Sequence, residues 1–127
     1  MILADTSVWA DHLRAGDRAL RTLLDADRIL MHPFVIAEIA LGYLKQRDLF
    51  LLGLKKMPHA PQASDDEVLH LINGRSLAAT GIGYVDAHLL AAVRLKAGVG
   101  LWTRDKRLHA VAAKLGLALT PDGRATP

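Results

Sequence analysis

Short apolar runs, each stopping at a helix-starting residue, recur along this chain, and that alternation leaves few folds open to it. Ile2-Leu3-Ala4 ends at Asp5-Thr6-Ser7, after which Val8, Trp9, Leu13, Leu20, Leu23 and Leu24 recur at helical spacing, broken at Gly16. Residues 28–31 form a second strand candidate. Pro33 suits the first turn of a helix and opens an apolar run over 34–44 that is expected to be buried on nearly every side. A helix over 48–57 stops at Pro58 and Pro61, and Ser64 with Glu67 forms a capping-box signature for a helix reaching Ala79. Residues 80–83 read as a turn, 84–97 as a helix closed by Gly98, and 99–103 as a strand. Residues 105–115 read as a helix capped by Gly116, and 117–119 as a last strand. Short strands alternating with longer helices make an α/β sandwich with a parallel sheet. In such sheets functional groups collect at the carboxyl ends of the strands. Asp5 and Asp105, each directly after a strand, are therefore expected to be neighbours.

A chain of 127 residues with 51% hydrophobic content has enough apolar material for one core. The expected organisation is one domain over 1–119 and a flexible C-terminal tail over 120–127. With no cysteine, disulfides and thiolate zinc sites are excluded, so any metal must be held by oxygen or histidine. Met1 is followed by no basic leader with an apolar stretch, and no segment reaches the roughly 18 apolar residues of a membrane span. A soluble, cytoplasmic protein without membrane contact is expected. A net charge of +3 and a pI near 9.5 suit a polyanionic partner.

Glu38 lies inside the apolar run Val35-Ile36-Ala37-Glu38-Ile39-Ala40-Leu41, where an unpaired buried charge would cost several kcal/mol. Something must compensate it: a metal ion, or a buried arginine. Asp86 sits in a comparable apolar setting near a helix start, and Asp5 and Asp105 complete a set of four acids. Magnesium and manganese take oxygen ligands, and a clamp of carboxylates on such ions stabilises attacking and leaving oxygens in phosphodiester cleavage by metal-activated water. The structural alternative is that Asp5, Asp86 and Asp105 are helix-starting acids favoured by the dipole and the free amides.

Secondary candidates surround these four. Thr6 and Ser7 cap the first helix or orient a water or phosphate. Thr103, two residues before Asp105, hydrogen-bonds a carboxylate or is there for its β-propensity. His12, His32, His59 and His70 show no mutual ligand spacing and read as surface or edge residues. Trp9, Trp102 and Tyr84 read as core or interface. Arg14, Arg18, Arg21, Arg104 and Lys106 line a phosphate track or are solvated helix faces.

At these residues the chain resembles the PIN domain family, in its bacterial VapC-type toxin branch. Ile2-Leu3-Ala4-Asp5-Thr6-Ser7-Val8-Trp9 looks like the family's opening motif. Gly81-Ile82-Gly83-Tyr84-Val85-Asp86-Ala87-His88-Leu89-Leu90 looks like its third-acid segment, and Leu101-Trp102-Thr103-Arg104-Asp105-Lys106-Arg107-Leu108 like its fourth; Glu38 falls where the second acid belongs. The resemblance implies a three-layer sandwich with a four- or five-stranded parallel sheet. It also implies a magnesium- or manganese-dependent endoribonuclease whose metal ligands and catalytic residues are Asp5, Glu38, Asp86 and Asp105, leaving 5′-phosphate and 3′-hydroxyl ends. The implied partners are RNA, a cognate VapB antitoxin whose tail crosses the active-site groove, and a second copy in a homodimer. Where some members carry a further acid, this chain has Leu108 and His109. Two other readings stand beside this one. A non-catalytic interaction module could use the same fold. A haloacid-dehalogenase-like phosphatase also starts with a strand-end Asp, but needs a second Asp where Ser7 stands.

Overall fold

The computed structural model describes residues 1–121. The order of elements is β1 (Ile2–Ala4), α1 (Thr6–Ala15), α2 (Arg18–Asp25), β2 (Ile29–Leu30), α3 (Pro33–Ala40) and α4 (Arg47–Lys56), followed by α5 (Asp65–Gly74), α6 (Tyr84–Arg94), β3 (Gly100–Trp102) and α7 (Lys106–Lys114). The three strands form one parallel sheet in the order β2-β1-β3, with Ile2 opposite Ile29 and Gly100, and Ala4 opposite Trp102. Successive strand residues point to opposite faces. Ile2, Leu3 and Ala4 are all fully buried, so both faces of the central strand are covered, as a parallel sheet requires.

The strand count differs from expectation. Among the described residues the sheet has three strands, and each edge is extended by a single parallel bridge, Met31 to His59 and Leu101 to Ala118. At the first edge Pro58, which cannot donate, accepts from the Met31 N–H at 2.7 Å. The expected last strand is thus reduced to a bridge against Leu101. From residue 122 on, the expected tail lies outside the described residues.

Several helix ends also differ. α3 stops at Ala40 rather than near 44, because Arg47 folds back to donate to the carbonyls of Ala40 and Gly42, closing the helix from outside. Leu41 and Tyr43 are left 88% and 87% exposed. α5 ends at Gly74, before the left-handed residues Ser76 and Ala79, and α6 ends at Arg94. The Ser64–Glu67 capping box and Pro33 at the start of α3 are present. Helix α6 runs through the core, with every residue from Ala87 to Val93 buried. It packs on β3, while α1 packs on β1 and α3, so the acids carried by these elements are brought to the carboxyl edge of the sheet.

Candidate active site

Asp5 directly follows the central strand, its N–H donating to Trp102 O at 3.0 Å on the neighbouring strand. It is the N-cap of α1: its Oδ1 accepts from Val8 N–H at 3.3 Å. The expected caps, Thr6 and Ser7, are instead the first two helical residues. Their hydroxyls turn to the acids. Ser7 Oγ donates to Asp5 Oδ1 at 2.5 Å, and Thr103 Oγ1 donates to Asp5 Oδ2 at 2.5 Å. Both hydroxyls also accept from the segment after β3, Ser7 from Arg104 N–H and Thr103 from Asp105 N–H, each at 3.0 Å. Two hydroxyls thus rivet the end of β1 to the end of β3. Despite these donors, burial raises the Asp5 carboxyl above its ordinary value.

Asp105 caps α7, accepting from Leu108 N–H at 2.9 Å, and Asp86 stands in the first turn of α6, accepting from Gly83 N–H at 3.2 Å. Three of the four acids therefore occupy helix N-termini, where the structural and the chemical readings coincide. Glu38 does not. It lies in α3 with its Oε1 accepting from Thr6 Oγ1 at 2.6 Å. Contrary to expectation it is exposed, since of the eight α3 residues only Val35 and Ile39 are buried; no buried charge has to be compensated there. Asp105 is exposed as well.

Burial raises the pKa of Asp86. The Gly83 N–H opposes the rise, and the charges of Asp5, Asp105 and Glu38 each add to it. Asp5, Asp105 and Glu38 thus all lie within electrostatic reach of Asp86. Among the described residues, no three histidine, aspartate or glutamate side chains converge closely enough to hold an ion as they stand.

The cations divide. Arg104 pairs with Asp11 at 2.8 Å and with Asp17, its guanidinium 5.2 Å above the Trp102 ring, and Arg14 pairs with Asp11 at 3.0 Å. These two arginines are spent inside the molecule, and Arg18 and Arg21 lie exposed on α2. Hydrogen bonds from Arg14 and Arg104 hold the Asp11 carboxyl below its usual range, and the Leu20 N–H and Arg104 do so for Asp17. Asp11 and Asp17 brace the site without belonging to it. Asp17 was readable as the cap of α2, but its pairing with Arg104, 87 residues away, has no local signal.

Of the four histidines read as surface or edge residues, His32 is fully buried. It caps α3, its Nδ1 accepting from Phe34 N–H at 3.0 Å. Trp9 and Trp102 are core residues, whereas Tyr84 is half exposed, donating its hydroxyl to Asp65.

The PIN domain profile matches residues 2–114. Curated relatives from two strains of Mycobacterium tuberculosis, CDC 1551 / Oshkosh and ATCC 25618 / H37Rv, both named Ribonuclease VapC32, are 51% identical over 122 residues. The alignment covers 96% of this chain and 98% of theirs. Matched along nearly its whole length, this chain belongs to the PIN domain family and, within it, to the VapC-type ribonucleases.

Proposed function

We propose that this chain is a divalent-metal-dependent endoribonuclease, the toxin of a toxin–antitoxin pair, with Asp5, Glu38, Asp86 and Asp105 as its catalytic carboxylates. The observation that carries the reading is the electrostatic coupling of Asp86 to the other three acids. The three neighbouring carboxylates each push the Asp86 carboxyl up, a repulsion that a bound cation would relieve. The donor set is all oxygen, which suits Mg2+ or Mn2+. Because no three acids close on one point, bound water would complete the coordination, as Mg2+ commonly requires. When bound, such a cation makes water easier to deprotonate and offsets charge on the phosphate oxygens.

The chain's own residues do the rest. Ser7 and Thr103 fix both oxygens of Asp5, and Thr6 fixes Glu38. Ser7 gives its proton to Asp5 and receives the Arg104 N–H, so it positions rather than attacks. No side chain is required as a covalent nucleophile.

Partners follow from the same reading. A groove of 350 Å³ begins at Thr6 and Glu38 and continues past Leu13, Ile39 and Tyr43, with Arg14, paired to Asp11, also on its lining. Its apolar wall and acidic end suit a VapB-type antitoxin segment carrying a basic residue. Exposed Leu69 and Leu95 are available to a homodimer contact. Among the described residues no helix is long and apolar enough to cross a membrane, and a cytoplasmic location belongs to this proposal.

The test is cleavage of RNA by the purified protein with chelator, with magnesium and with manganese. Cleavage confined to the metal-loaded samples, and lost in Asp105→Asn with unchanged circular dichroism, is the expected result. Undiminished cleavage in chelator, or by Asp105→Asn, would overturn the reading.

A further inference from the structure

Arg14 and Arg104 are engaged by Asp11 and Asp17, and of the exposed cations that form no ion pair among the described residues, those on α7 share one groove next to a site acid. Lys106, Arg107 and Lys114 are exposed, and none forms an ion pair among the described residues. With Thr80, Ala110 and Val111 they line a groove of 410 Å³ between α7 and the turn that leads into α6. No acid lines it. Positions 106, 110 and 114 fall on one helical row and 107 and 111 on the adjoining one, so the charges form a strip along a single face. From Lys106 to Lys114 the strip runs roughly 12 Å at 1.5 Å per residue. It starts beside Asp105, the cap of the same helix.

The Arg107 side chain passes close to Gly81. Gly81 has a φ of +88°, and a Cβ added there would come within 2.8 Å of Arg107 Cδ and 3.3 Å of its Nε. The bare glycine lets the arginine chain lie against the 80–83 turn that precedes α6, the helix bearing Asp86. The strip is thus joined to two of the acid-bearing helices.

We propose that this face of α7 is the phosphate track that leads an RNA strand to the four acids. The proposal rests on the nuclease reading. The lining offers three cations and a Thr80 hydroxyl already donating to Leu77 O at 2.7 Å, with no aromatic ring. Contact is therefore with the backbone and carries no base preference.

The test titrates the full chain with a short fluorescent single-stranded RNA in chelator, from about 50 to 200 mM salt. The triple variant Lys106→Ala, Arg107→Ala, Lys114→Ala is compared with wild type and with a charge-matched control, Lys45→Ala, Lys55→Ala, Lys56→Ala. The track variant should bind about tenfold weaker, and its slope of log K against log salt should shrink by about 2, near 0.7 for each lost phosphate contact. The control should change less than twofold, and the loss should be equal for RNAs of different base sequence. Should the triple variant not fold, Lys114→Ala, farthest from the acids, should lower the slope by about 0.7.

An unchanged slope, an equal loss in the control, or a loss confined to one base sequence overturns the track. So does loss of polyglutamate binding with RNA binding intact, which would assign the strip to an acidic protein. Cleavage in manganese is read separately. Track-dependent binding without cleavage sinks the nuclease reading alone, and cleavage with track-independent binding sinks the track alone.

Discussion

The two sides of the acid cluster are built differently. On the β1–β3 side, Asp5 and Asp105 each cap a helix, and hydroxyls of Ser7 and Thr103 tie them to one another's segments. On the α3 side, Glu38 is exposed on a helix and receives one hydrogen bond, from Thr6. The first side would be useful to the fold with no chemistry at all. The second has no comparable structural employment, so the proposed nuclease role is what would account for Glu38 there.

The largest effect that can break this comparison is a dissociation of activity from stability. Asp5→Asn and Glu38→Gln should each reduce RNA cleavage by about 10- to 100-fold, on the scale of losing a metal-site partner. Their stabilities should diverge. Asp5→Ala strands the Ser7 and Thr103 hydroxyls and the Val8 N–H, costing about 1–3 kcal/mol, whereas Glu38→Ala on an exposed surface should stay within about 0.5 kcal/mol. Urea denaturation beside an RNA cleavage assay decides it. If Glu38→Ala is the more destabilised of the two, the division between the sides is wrong.

The same division governs what could be read in the sequence. Asp5, Asp86 and Asp105 were legible because strand-end and helix-start acids leave a local pattern, and the Ser64–Glu67 box for the same reason. Glu38 was legible as an acid in an apolar run, but its burial was not. The run is apolar on every side of the helix, and only packing decides that Val35 and Ile39 face the core while Ala37 and Glu38 face solvent. The end of α3 depends on Arg47 reaching back, and the Arg104 pairs span the chain; neither follows a helical or strand period. The last strand is shorter than its sequence suggests because three apolar residues at 117–119 look the same whether they form a ladder or one bridge.

A second test sharpens the α3 side, whose anchor is His32 rather than a carboxylate. Burial, with the charges of His88 and His59, lowers its pKa from 6.5 to about 4, and its Nε2 is buried with no hydrogen-bond partner among the described residues. The folded pKa lies below the unfolded one, so this stabilising contribution is complete above about pH 6.5 and is lost as pH falls through about 4. At 1.36 kcal/mol per unit the loss reaches up to about 3 kcal/mol. His32→Asn keeps an acceptor for the α3 cap and should be less stable at neutral pH but flatter through that acid window. Urea midpoints at several pH values check this. Parallel curves for the two proteins would place the acid sensitivity elsewhere.

The smallest effect, and the one that joins the two sides, is the response of the melting temperature to metal. Asp86 is coupled to acids from both sides, and burial together with those charges raises its pKa. For a carboxyl with a raised folded pKa, the stabilising contribution is present below the unfolded value and lost as pH rises through the folded one, so at neutral pH the ionised Asp86 weighs against the metal-free fold. Asp86→Asn removes that charge while retaining an oxygen that can accept from Gly83 N–H. The metal-free variant should melt at the wild-type temperature or slightly above it, unlike an ordinary core lesion. Binding to the folded state alone adds RT ln(1 + [L]/Kd), about 2.7 kcal/mol at a hundredfold excess, so manganese should raise the wild-type melting temperature by several degrees. The variant should show a clearly smaller rise. Melts at neutral pH with chelator and with manganese separate the outcomes: if Asp86→Asn loses stability in chelator yet responds to manganese as fully as wild type, Asp86 belongs to the α6 cap alone, and the two sides do not meet at a common ion.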